Sequence, residues 1–78
     1  MGMKSKTIFT AEHRDIVRKL REARVAAKLT QVEVASKLRK PQSFVSKMES
    51  GERRLDIIEL RRMSKLYGKP LSFFFPKE

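Results

Sequence analysis

Residues 31–49 read QVEVASKLRKPQSFVSKME, and this stretch decides the fold. Immediately before and inside it, Thr30-Gln31-Val32-Glu33 has the form of a capping box. The Thr hydroxyl takes a free backbone N–H of the first turn, and Glu at N3 reaches back to the cap. A short helix is predicted from there, with Val34, Ala35 and Leu38 inward. Pro41 has no N–H to lose in a first helical turn, and it pushes Lys40 out of the α region. A break is therefore predicted between Leu38 and Pro41. The next helix is predicted from about Pro41 to Glu49, with Val45 and Met48 inward and Gly51 just past its end.

Upstream, Thr10 is suited to cap a helix that carries Glu12 and Asp15 near its positive end. Ile16, Val17, Leu20, Ala23 and Ala27 recur at three- and four-residue steps, so that helix is predicted to run to about Lys28. Downstream, Asp56 is the expected cap of a helix whose apolar face is Ile57, Leu60, Met63, Leu66 and Tyr67, and Gly68 stops it. Pro70 starts a last short helical turn. There Leu71, Phe74 and Phe75 are expected to close the core and Phe73 to face outward, with Leu66 beside it, as a dimer interface. Residues 1–9 lack helical periodicity and are expected to form a loose arm, with Ile8 and Phe9 packing on the body. No strand alternation or internal repeat appears. The expectation is an all-α, compact five-helix domain over residues 10–78.

The chain has 78 residues, enough for one domain. At this size about 60% of the unfolded surface is buried, so a second subunit would add stability. Zero Cys excludes a disulfide scaffold, a zinc finger and thiol chemistry, and a single His excludes most His-based metal sites. No apolar run approaches the ~20 residues of a membrane span, and no secretory leader is visible; a cytoplasmic protein is expected. Lys and Arg number 19 against 9 Asp and Glu, a net charge of +10. The excess is spread along the chain, so only folding can gather it on one face. Such a charge points to a polyanionic partner, nucleic acid first.

Two short helices about three residues apart, the second apolar only on its back, describe a helix-turn-helix. The front of the second offers Gln42, Ser43, Ser46 and Lys47. Gln is a bidentate match for adenine, Lys suits guanine acceptors, and Ser serves either. The N-terminal end of such a helix reaches deepest into the major groove, which makes Gln42 and Ser43 the first candidates. For phosphates, the start of the preceding helix supplies N–H groups and the Gln31 side chain, and Arg53 and Arg54 follow the reading helix.

These residues, continued by Ser50-Gly51-Glu52-Arg53-Arg54-Leu55-Asp56, resemble the phage-repressor and Cro type of helix-turn-helix, the Xre-like regulators. The resemblance covers roughly residues 10 to 75. It rests on Thr30-Gln31 opening one helix, Ala35 at the tight crossing, Gln42-Ser43 opening the next and Glu49-x-Gly51 ending it. It implies a lambda-repressor-like five-helix domain that binds operators, usually as a dimer on a palindrome. It puts Gln42, Ser43 and Lys47 on base-contacting positions and Gln31 on a phosphate-contacting one. It puts Arg24 and Glu49 on a pair that in several relatives forms a partly buried, architectural salt bridge. Where the family usually has Gly and then an apolar residue in the turn, this chain has Arg39 and Lys40. Either Arg39 takes φ > 0 at a cost of roughly 1 kcal/mol, or the turn is reshaped around Pro41. Both cations then lie beside the expected DNA backbone.

Other residues carry plainer readings. His13 is expected on the surface, Tyr67 in the core, and the four Met as filler or start codons. Phe44 either packs on a DNA sugar or thymine methyl or tucks against the Pro41 turn, and partial burial is the expectation. Glu49 has no nucleophile, metal ligand or Gly-rich loop beside it, so no enzyme, cofactor or metal is expected. The reading is a sequence-specific double-stranded DNA-binding transcriptional regulator, a repressor first, acting as a homodimer on an inverted repeat. The alternative is an antitoxin or protein-interaction module with a toxin as main partner, its DNA binding autoregulatory. A nonspecific nucleic-acid binder or an RNA binder is a third reading, which lacks the exposed aromatic pairs that single strands require.

Overall fold

In the computed structural model, which describes residues 10–75, Thr10 opens the first helix by accepting the backbone N–H of His13 at 3.1 Å. The arm expected over residues 1–9, with Ile8 and Phe9, lies outside the described residues, as do residues 76–78. Helix α1 runs Ala11–Ala26, α2 Gln31–Leu38, α3 Gln42–Glu49 and α4 Ile57–Tyr67, followed by a single 3-10 turn, Leu71–Phe74. The described residues are thus all-helical, with four α-helices where five helices were expected. The fifth is too short for an α-helical ladder and closes with the tighter 3-10 geometry.

The helix ends follow local chemistry. Both halves of the capping box at Thr30 and Glu33 form, at 3.1 and 2.8 Å. The Asp56 carboxylate accepts the Ile58 N–H at 2.7 Å and opens α4. Pro41 stands just outside α3, as its cap, because its ψ of 157° is extended rather than helical. All four α-helices stop by one device, a left-handed residue whose follower donates its N–H back five residues. Gly51 (φ 82°) and Gly68 (φ 70°) do this without steric cost. Lys28 (φ 61°) and Arg39 (φ 60°) do it with a Cβ. At Lys28 the chain leaves α1 two residues earlier than apolar spacing suggests, with the Leu29 N–H on the Arg24 carbonyl at 3.2 Å. At Arg39 the tight turn is kept, with the Lys40 N–H on the Ala35 carbonyl at 2.9 Å.

The core is built from the inward rows of every element: Leu20 and Ala23 of α1, Val34 and Ala35 of α2, Val45 and Met48 of α3, Leu60, Met63 and Tyr67 of α4, and Phe74. α2 packs chiefly on α3, and α1 lies across α3, α4 and the closing turn. Ala35, 3% exposed, lets α2 and α3 approach closely.

Two expectations about the rear of the molecule are corrected. Ile57 does not join the apolar face of α4. It is 58% exposed, because the buried part of α4 begins only one turn later, at Leu60. Phe73 is not the outward ring. In a 3-10 turn Leu71 and Phe74 share a face, and Phe73 packs edge-to-face on Phe74 with centroids 5.2 Å apart. Phe75, already in extended backbone (φ −94°, ψ 140°), swings out and is 40% exposed.

Candidate nucleic-acid interface

Helix α3 has two unlike faces. Val45 and Met48 are fully buried. Gln42, Ser43, Ser46 and Lys47 are all exposed. They form one continuous polar surface of donors and acceptors on a helix held from behind.

On the side of α1 and α2, that helix is anchored by a polar chain. Glu49, at the last turn of α3, has a side chain only 4% exposed. It accepts Arg24 Nε at 2.6 Å, Arg24 Nη2 at 3.0 Å and Gln31 Nε2 at 3.0 Å. Arg24 Nη1 donates to the Leu29 carbonyl at 2.9 Å, so the guanidinium also holds the α1–α2 turn. The hydrogen bond to Glu49 raises the Arg24 pKa above its ordinary value, against the opposing effect of burial. Since a carboxylate only accepts, the Gln31 amide must turn its nitrogen to Glu49. Its oxygen is then aimed at Gln42, whose Nε2 lies 3.5 Å away. A buried ion pair thereby reaches, through one amide, to the first residue of the polar face.

The other side of α3 is built from an aromatic ring and cations. Phe44 is half-buried. Lys40 Nζ lies 5.3 Å and Arg53 Cζ 4.3 Å from its ring centroid, both within cation–π range. Arg53 Nη2 sits 3.4 Å from both oxygens of Glu59. The Arg53 carbonyl accepts His13 Nε2 at 3.2 Å, which ties the α3–α4 loop to α1. His13 is therefore half-buried and bonded rather than a plain surface residue. Arg39, Lys40 and Arg54 are exposed around this flank. Arg53, expected to extend toward phosphates, is only half-exposed and spends its guanidinium on Phe44 and Glu59.

The suggested rear contact surface looks different from expectation. Leu66 is half-buried, in a shallow groove with Leu38, Lys37 and Arg62. The Phe73 ring is overlaid by Lys19 Nζ at 5.3 Å and Lys69 Nζ at 5.1 Å. It presents cations more than an apolar face. Ile57 and Ile58, 58% and 56% exposed at the start of α4, form an adjacent exposed apolar pair. Sequence spacing missed that pair, since it assigned Ile57 to the core and left Ile58 unremarked.

Among the described residues no group of three or more His, Asp or Glu is placed to hold a metal ion. No helix among them is long and apolar enough to cross a membrane.

Comparison with known proteins gives a consistent answer. A family profile described as helix-turn-helix matches residues 20–74. No curated protein matches the chain. Among solved structures, the chain is similar to one described as an XRE-family like protein from Pseudomonas syringae pv. tomato str. DC3000. The two are 46% identical, with a TM-score of 0.76, over 87% of this chain and 83% of that one.

Proposed function

The chain belongs to the Xre family of helix-turn-helix proteins, DNA-binding transcription regulators, and from that premise we propose that it is a cytoplasmic repressor binding an inverted-repeat operator as a homodimer. The observation that carries the reading is the exposed row Gln42, Ser43, Ser46 and Lys47 on a helix whose back is fully buried. In this reading those four side chains meet base edges in the major groove, Gln42 deepest. Arg39, Lys40 and Arg54 lie along the phosphates, and Arg53 reaches them by leaving Phe44 and Glu59. The Gln31 amide keeps Gln42 extended toward a base and contributes its second amide hydrogen to the backbone. Arg24 and Glu49 set the angle of α3.

A homodimer fits a chain this small. Half-sites would lie roughly one helical turn, about 34 Å, apart. Leu66 and Phe73 offer little open apolar surface, and the exposed pair Ile57–Ile58 supports a contact at the start of α4 instead.

The test is selection of bound duplexes from a random library at about 0.15 M salt. The expected result is an enriched palindrome. Gln42→Ala should then lose about 1–3 kcal/mol on that site and little on random duplex. Salt-sensitive binding with no enriched sequence would overturn the operator reading and favour a nonspecific binder or a partner-dependent antitoxin.

A further inference from the structure

A second open groove borders α3, on the side away from Phe44. It encloses about 280 Å³ between α1 and α3 and is lined by Arg21, Arg24, Gln31, Ser46, Glu49 and Ser50. Two of these, Gln31 and Ser46, belong to the interface already described. The groove continues past Arg21 and Ser50 into a larger one of about 540 Å³ lined also by Arg14, Asp15, Arg18 and Gly51. Arg21 stands where the two meet.

The charges in the smaller groove do not cancel. Glu49 is satisfied by Arg24 and Gln31, so its negative charge is matched inside the protein. Gln31 has committed an amide hydrogen to Glu49 and its oxygen to Gln42. Farther along α1, Arg18 is paired with Asp15 at 3.0 Å and Glu22 at 3.9 Å. Arg21 is exposed and makes no ion pair, hydrogen bond or ring contact among the described residues. It is the surplus charge of the groove, with all its donors open. A helix lying in a major groove about 12 Å wide has a phosphate strand along each side. On the Phe44 side there are several cations. On this side the smaller groove offers Arg21, with Arg14 and Arg18 farther along α1.

We infer that Arg21 is a DNA-backbone contact, its guanidinium taking a phosphodiester of the strand that runs along the α1 side of α3. The inference rests on the DNA-binding reading given above and adds a contact from a helix outside the two-helix motif. A planar guanidinium suits two phosphate oxygens at once. Ser46 and Ser50, on the same rim, are short enough to let the strand approach.

The test compares wild type, Arg21→Ala and Arg21→Lys on the selected duplex and on a random duplex, each over a series of salt concentrations. Arg21→Ala should weaken both duplexes by the same factor, about 3- to 10-fold at low salt, and reduce the salt slope by about 0.9. Arg21→Lys should keep the slope. A scan of single methylphosphonates along the duplex should find one position where wild type loses affinity and Arg21→Ala loses nothing more. Thermal unfolding of Arg21→Ala should match wild type, since no partner is lost. An unchanged slope, with wild type still binding DNA, overturns the contact and leaves the DNA-binding reading intact. A loss confined to the selected duplex also overturns it, because Arg21 would then be reading a base. Absence of any salt-sensitive duplex binding by wild type would instead remove the reading on which the inference rests.

Discussion

The two flanks of α3 hold the same helix by different physics. Toward α1 and α2 the contact is buried, charged and fully hydrogen-bonded: Arg24, Glu49 and Gln31, with distances from 2.6 to 3.0 Å. Toward the α3–α4 loop it is a half-buried ring with cations over it and a long 3.4 Å pair from Arg53 to Glu59. The first flank is directional and fails if one member is removed, because a buried charge without its partner is costly. The second is graded, since cation–π attraction tolerates shifts in angle and Lys40 stays exposed. One side therefore fixes where α3 lies, and the other leaves Lys40 exposed while Arg53 is held on Phe44 and Glu59.

The sharpest way to break this contrast is Glu49→Ala. It strands Arg24 and takes the partner from Gln31, and should cost about 3–5 kcal/mol in urea unfolding. A loss below about 1 kcal/mol would show that the flank is held by apolar packing alone. On the other side, Phe44→Ala should cost about 2 kcal/mol, less than a fully buried Phe because the ring is already partly in solvent. In a double-mutant cycle with Arg53→Ala, ring and guanidinium should couple by about 0.5–1 kcal/mol. No coupling would reduce Phe44 to a simple apolar plug. Arg39→Gly, in the turn between α2 and α3, should stabilise the fold by about 1 kcal/mol, because the φ of 60° is strained for Arg and free for Gly. A loss of stability would mean that the Arg39 side chain offsets its own backbone strain.

The smallest effect at neutral pH is Tyr67→Phe. Its hydroxyl is buried with no hydrogen-bond partner among the described residues. Removing it should change stability by zero to about 1 kcal/mol in the favourable direction. In alkali the variant reports on the charged flank. Burial first, and Glu49 second, hold the Tyr67 phenol well above its ordinary range, with Arg24 opposing. The folded protein thus keeps a proton that the unfolded chain releases. This stability is present below about pH 10 and is lost as pH rises past it. Tyr67→Phe should flatten that alkaline decline. A decline of equal slope in both proteins would assign it to other groups.

Much of the fold was legible because it is written in short-range signals. Thr10, the Thr30–Glu33 box, Asp56, Gly51 and Gly68 each mark a helix end within a few residues. The inward rows of α2 and α3 follow from spacing alone. The end of α1 was not legible, because Lys28 adopts a glycine-like conformation that its side chain does not advertise. The exposed row of α3 was readable from its polar residues. The stacking of Phe44 with Arg53 was not, since it joins α3 to a loop and depends on how that loop returns. The exposure of Ile57 was hidden for a related reason. Periodicity tells which way a residue points, not where the neighbouring elements end. Arg21 escaped notice because on α1 it is one cation among several, and only the packing of α1 beside α3 sets it apart.

The division of α3 into a buried back and a polar front bears on how such a protein can change over generations. Val45 and Met48 hold the helix, while Ser43, Ser46 and Lys47 make no side-chain bond with the rest of the fold among the described residues. Exposed substitutions of this kind usually alter stability by less than about 0.5 kcal/mol. The front can therefore drift one residue at a time without passing through an unfolded intermediate. Gln42, tied back to Gln31, is the position where drift would first meet resistance. A lineage built on this scaffold should diversify at the three free positions soonest, keeping its architecture while its preferred sequence moves.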